Sequence, residues 1–316
     1  MGGKQSNFGA VYVEADQPYF VGGQIVSGKI HVDIRKPFPG NQLCLKVVGD
    51  EITRWRQRVR GRERRRNHGR RRRINQGYKS MLSFRIPIMN WQSETIPVGQ
   101  YVFPFSFKLP KPLPGSFSYE QKKHICAKVT YRMVAMIDPT SPKSKVKPLH
   151  YSLPLVIRED IAPQDIRADS QEDVKHFYNL GLFEAGSTSL RCTVQKNAFP
   201  SNERIDATLA IDNTKCNSDL KELSVKVIQE IRMKSNDGVE RTIVNSLEKK
   251  KFEGPKKRMQ VDREISILLG GHYNQNSTYG TALTCQYYLQ VKTKPDSMLC
   301  FSKGPKVKIP IRIFAN

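Results

Sequence analysis

Twelve arginines fall between Arg54 and Arg73, in the run RWRQRVRGRERRRNHGRRRR, with Glu63 as the single acid. The segment carries +11 in 20 residues, nearly half of the chain's formal +24. Guanidinium groups stay charged and present forks of N–H donors that match phosphate and carboxylate oxygens. The chemistry on offer is anion recognition rather than bond-making. The candidate anion- or lipid-binding residues are Arg54, Arg56, Arg58, Arg60, Arg62, Arg64, Arg65, Arg66, Arg70, Arg71, Arg72 and Arg73. Three kinds of anion fit. Anionic lipid, phosphoinositide included, gains about 1 kcal/mol for each Lys or Arg near its surface. A phosphorylated protein tail is gripped bidentately by arginine forks. Nucleic acid would be held by counterion release. The third is disfavoured, because the run has one aromatic, Trp55, and no pattern for base stacking.

The first six residues, MGGKQS, fit the N-myristoylation pattern M-G-x-x-x-[ST], with Gly2 as the acceptor. One myristoyl chain binds membrane only marginally, with K of about 10⁴ M⁻¹, and a polybasic patch is the second signal that makes anchoring stable. Enzyme signatures are missing from the sequence. The six histidines are scattered, and no H-E-x-x-H, G-x-x-x-x-G-K-[ST] or G-x-S-x-G motif occurs. The reading is a non-enzymatic chain with no cofactor and no metal.

The elements that hold the arginines follow from alternation. Arg54, Arg56, Arg58, Arg60 and Arg62 alternate with Trp55, Gln57, Val59 and Gly61, which is strand periodicity with one cationic face. Asn67-His68-Gly69 supplies turn residues, and Tyr78–Ile88 returns as a strand. This predicts a long hairpin with arginines on both arms of its tip. Like charges opposite one another are destabilising, so the tip frays without a bound anion.

Other strands are predicted at Val26–Ile34, at Leu43–Val47 ending near Gly49, at Val98–Pro110, at His124–Ile137 and at Tyr151–Ile157. Residues 159–184 are acidic and do not alternate, and read as a linker with one short helical turn. Alternation resumes at Ser189 and runs to Ile313. The six cysteines form no C-x-x-C pair, and four lie in apolar alternating runs, so they read as buried reduced thiols in a reducing compartment. No apolar run is long enough for a signal peptide or a spanning helix. The expected location is cytoplasmic, peripheral to plasma membrane or endosomes.

A shift of 179 residues brings Phe20–Asp33 onto Phe199–Asp212, sharing an aromatic, a turn and apolar residues at every second position. Leu43, Leu45 and Val47 then match Leu223, Val225 and Val227 with one residue of slip. Two copies of one β-sandwich account for this. The chain divides into an N-terminal domain at 1–158 with the hairpin at 54–73, the linker at 159–184, and a C-terminal domain at 185–316.

Two tandem sandwiches resemble the arrestin fold, and the sequence is similar to the α-arrestin type in detail. YFVGGQIVSGKIHV resembles that family's opening strand, and Gly49 followed by Trp55 its G-x-n-W region. VGQYVFPFSFKLPKPLPGSF resembles its G-x-Y-x-F-x-F-x-L-P-x-x-L-P-x-S-F run. The stretch from NAFPSNERIDATLAIDN to VKIPIRI is similar to an arrestin C-domain. The resemblance implies an all-β protein of two tandem immunoglobulin-like β-sandwiches. It implies an adaptor that binds cytosolic tails of membrane cargo proteins and sorts them in endocytic protein transport. The chain has no Pro-Pro dipeptide, and so no Pro-Pro-x-Tyr route to ubiquitin ligases; it also ends with the C-domain, without the tail that usually carries such motifs. A retromer-like coat subunit and a nucleic-acid-binding protein remain the alternatives.

Overall fold

The computed structural model describes residues 6–58, 72–121, 124–141, 145–179, 183–269, 275–296 and 303–314. The chain forms two units. The first comprises Met1–Asp160 together with Met233–Glu240 and Thr278–Leu283. Its strands are β1 (Gly9–Ala15), β2 (Phe20–Val21), β3 (Ile25–Ile34), β4 (Gln42–Arg58), β5 (Arg72–Asn90), β6 (Gly99–Lys108), β7 (Phe117–Gln121), β8 (Ile125–Ile137), β9 (Leu149–Leu155) and β10 (Ile157–Arg158). One sheet has the order β1-β3-β6 and the other β5-β4-β8-β7, with β9 also on β8. Alternation decides which side chains meet in the core. Val26, Ile30, Val32 and Ile34 of β3 are buried, as is every second residue of β8 from Ile125 to Ile137. Each such Val, Ile or Leu contributes about 1.5–3 kcal/mol by burial. Gly28 keeps the parity of Val26 and Ile30 but must lack a side chain. A Cβ there would run into the Glu14 carbonyl and the Phe105 ring.

The strand expected to end near Gly49 continues as one 17-residue strand, β4. Apolar alternation lapses after Gly49 because the buried residues before Trp55, namely Asp50, Glu51 and Thr53, are polar and individually partnered. The Glu51 carboxylate accepts the N–H groups of Thr281 at 2.9 Å and Ala282 at 2.5 Å. Asp50 accepts the Tyr78 hydroxyl at 2.7 Å. A bulge between Gly49 and Asp50 absorbs the change of register against β5.

The second unit comprises Ile161–Arg232, Arg241–Ser277 and Thr284–Asn316. From Asp169 onward the chain forms β11 (Asp169–Asn179), β12 (Phe183–Val194), β13 (Ala198–Pro200), β14 (Arg204–Asp212), β15 (Leu220–Lys234), β16 (Glu240–Glu253), β17 (Gln260–Leu268), β18 (Thr278–Tyr279), β19 (Leu283–Pro295) and β20 (Lys306–Phe314), of which β18 and the adjoining ends of β15, β16 and β19 belong to the first unit. The sheets have the orders β11-β12-β14-β17 and β13-β20-β19-β15-β16. The stretch 159–184, read as a linker, departs from that expectation. After a 3-10 turn at Pro163–Asp165 it forms β11, paired along its length with β12. As an edge strand it needs main-chain partners on one side only, and its sequence can stay acidic and polar.

The repeat has a structural counterpart. Phe20 of β2 lies opposite Ile157 of β10 in a parallel pair, and Phe199 of β13 lies opposite Ile313 of β20 in another. Both phenylalanines are buried. β3 lies between antiparallel neighbours β1 and β6, as β14 does between β12 and β17. Strands related by 179 residues therefore occupy the same place in the two sandwiches.

Cys44, Cys126, Cys192, Cys216 and Cys285 are free thiols, all buried except the half-buried Cys126. Burial pushes the Cys192 thiol up to about 12, which keeps it protonated and unreactive. Cys300 lies outside the described residues.

Candidate anion-binding hairpin

β4 and β5 pair antiparallel from Gln42↔Asn90 out to Arg58↔Arg72, with β8 on the other side of β4 as far as Trp55, so the arginine run is carried at the end of a shaft that is two-stranded only beyond Trp55. Trp55 sits on the inner face at 1% exposure and anchors the shaft in the core. Its neighbours Arg54 and Arg56 are exposed on the outer face. Directly across the ladder, Gln76 faces Arg54, Ile74 faces Arg56 and Tyr78 faces Ile52. Ile74 is 44% exposed and Tyr78 56%. The outer face thus interleaves guanidinium groups with an aliphatic and an aromatic side chain. Sequence reading missed Ile74 and Tyr78. The signal was available in their shared parity, once their register against Arg56 and Ile52 is known.

The main chains of Arg58 and Arg72 lie opposite each other at the end of the paired region. Arg60, Arg62, Arg64, Arg65, Arg66, Arg70 and Arg71 lie outside the described residues, as does Gly2. Arg73 has an acidic partner already, in an ion pair with Asp237. The Ser235 hydroxyl first, and then other groups including Arg73, hold the Asp237 carboxyl below its usual range.

Residues 233–240 brace the shaft. The Thr53 hydroxyl donates to the Lys234 carbonyl at 2.8 Å. The Asn236 N–H donates to the Gln76 carbonyl at 2.9 Å, and its Oδ1 accepts the Tyr78 N–H at 2.9 Å. Gly77 lies under this brace, and a Cβ there would collide with the Lys234 carbonyl and the Thr53 hydroxyl. Gly77→Val is expected to cost about 1–3 kcal/mol by overpacking, read as a lower urea midpoint. An unchanged midpoint would show that the brace yields freely.

Among the described residues no cluster of His, Cys, Asp or Glu could hold a metal ion. No helix there is long and apolar enough to cross a membrane.

The arrestin (or S-antigen) N-terminal domain family matches residues 9–158, and the arrestin (or S-antigen) C-terminal domain family matches residues 184–316. The chain belongs to the arrestin family. The family anticipated from the 98–117 segment is the family found, and the two tandem β-sandwiches are its fold. Arrestin domain-containing protein A of Dictyostelium discoideum is 25% identical over 312 residues, covering 96% of this chain and 51% of that protein. Arrestin domain-containing protein 17 of Caenorhabditis elegans is 27% identical over 116 residues, covering 36% of this chain and 27% of that protein. The chain thus spans about half the length of the first relative and less of the second. Arrestin-family proteins are in general adaptors without catalytic activity.

Proposed function

We propose that this arrestin-family adaptor works at the surface of an anionic membrane in cargo sorting, with the β4–β5 hairpin as its lipid-binding element. The observation that supports this best is the outer face of the shaft, where Arg54 and Arg56 stand beside exposed Ile74 and Tyr78. Lipid headgroups neutralise the guanidinium groups, while an aliphatic and an aromatic side chain gain by entering the interface. Nucleic acid would offer Ile74 no comparable partner, and the aromatic within the arginine run, Trp55, is in the core and unavailable for stacking. Cargo is the tail of a membrane protein, presented to the adaptor once it is on the surface. Gly2 is the proposed acylation site, supplying the second anchoring signal.

Two arms test this. Protein without an acyl chain is floated with phosphatidylcholine vesicles and with vesicles containing phosphatidylserine and a phosphoinositide. It is expected to rise only with the anionic vesicles and to be released as salt increases; equal flotation with both would refute the reading. In cells, Gly2→Ala is expected to move the protein from the membrane to the soluble fraction. Unchanged fractionation would remove the acyl chain from the account and leave the hairpin arm standing.

A further inference from the structure

β5 is the outer strand of its sheet, with β4 as its ladder partner on one side only. Main-chain groups therefore point away from β4 at every second residue. The Asn236 contacts fix which ones, because the Gln76 carbonyl and the Tyr78 N–H both face outward. Carrying the alternation past the bulge places the N–H and C=O of Ser83 and Arg85 outward as well, and Pro87 after them. Proline has no N–H to offer, so Pro87 ends the usable edge. Asn236 ends it at the other side. Between these limits the outward main chain of Ser83 and Arg85 has no hydrogen-bond partner among the described residues. Asn236 itself illustrates what the edge accepts, since its N–H and side-chain carbonyl bond Gln76 and Tyr78 as a residue of an added strand would.

The inner side of this edge opens into a cleft of ≈ 920 Å³, lined by Leu82 and Phe84 of β5 and by Val21, Gln24, Lys108 and Leu109. Phe84 meets Phe107 of β6 edge to face at 5.4 Å, so the wall is aromatic. Lys111, also in the cleft, is neutralised by Asp160 at 2.5 Å. Lys108 has no acidic partner within salt-bridge distance among the described residues, nor does Lys79 further along β5.

We infer that the Ser83–Arg85 edge of β5 binds an extended segment of a partner protein as an added antiparallel or parallel strand, with an apolar side chain in the cleft and an acidic one near Lys108. The outward N–H and C=O groups require main chain rather than a lipid or a small anion, and their spacing admits a segment of roughly five residues. Leu82 and Phe84 select an apolar residue on the cleft-facing parity. Lys108 and Lys79 select carboxylates on the same parity, two residues to either side. This site lies apart from the arginine face and stands or falls independently of membrane binding.

The probe is the peptide Ac-Thr-Glu-Thr-Val-Thr-Glu-NH2, titrated into the full chain and followed by amide NMR and hydrogen exchange. Saturable binding is expected, with the Ser83 and Arg85 amides becoming protected. Methylating the peptide amides on the parity that faces β5 should weaken binding at least about tenfold, whereas methylating the other parity should leave it unchanged. Ser83→Pro removes one outward N–H without touching the β4 ladder and should act like the first methylation. The methylated peptides carry the test if that variant does not fold. No saturable binding up to about millimolar peptide, equal loss from both methylations, or binding without protection at Ser83 and Arg85 would each overturn the inference.

Discussion

Replacing Trp55 with alanine is expected to cost about 3–5 kcal/mol, the range for a fully buried aromatic. Trp55 is the largest fully buried side chain of the described residues and stands between Arg54 and Arg56. Its loss opens a cavity under the shaft, and the outer face loses the support that keeps the two guanidinium groups in line. Two measurements follow from one cause. Chemical denaturation should show the loss of stability, and affinity for anionic vesicles should fall although no charge has been removed. A loss below about 1 kcal/mol, the scale of a surface change, would mean that Trp55 does not anchor the hairpin.

Changing Arg54, Arg56, Arg58 and Arg60 together to glutamine is expected to weaken binding to anionic vesicles by about 4 kcal/mol, roughly a thousandfold. Arg73→Gln is the informative companion. That guanidinium is already paired with Asp237, so its removal should cost much less than an average arginine of the run. If Arg73→Gln weakens binding as much as Arg54→Gln, the ion pair opens at the membrane and total charge, not placement, governs affinity. If the quadruple variant binds as the parent does, the hairpin is not the lipid-binding element. Arg54→Gln and Arg56→Gln by themselves should leave urea midpoints nearly unchanged, because these exposed arginines contribute little to folding.

Most of the sheet structure was legible in the sequence because period-2 burial writes itself directly into residue type. Val26 to Ile34 and Val307 to Ile313 are examples, and their buried members are the apolar ones. The reading failed where burial is polar. Asp50, Glu51 and Thr53 are buried, yet alternation of apolar residues gives no sign of it, because each is satisfied by a partner far away in sequence. It failed again at Asp169–Asn179, where an edge strand owes its place to main-chain pairing and not to an apolar face. For the candidate site, the two-armed hairpin and the cationic face at Arg54 and Arg56 were readable from spacing. Ile74 and Tyr78 were not, because their placement beside the arginines depends on register and on the bulge near Gly49. Nor was the engagement of Arg73 by Asp237, 164 residues away.

The most direct measurement asks whether this face meets lipid. A spin label is placed at position 74 through Ile74→Cys, and a second on the β1-β3-β6 sheet through Val102→Cys, with the unsubstituted protein labelled in parallel to account for Cys126. Accessibility to oxygen and to a polar nickel complex is then read by power saturation, with and without anionic vesicles. The account predicts that vesicles raise oxygen access and lower nickel access at position 74 and leave position 102 as it was. Equal responses at both positions, or none at position 74 while the protein is vesicle-bound, would contradict it.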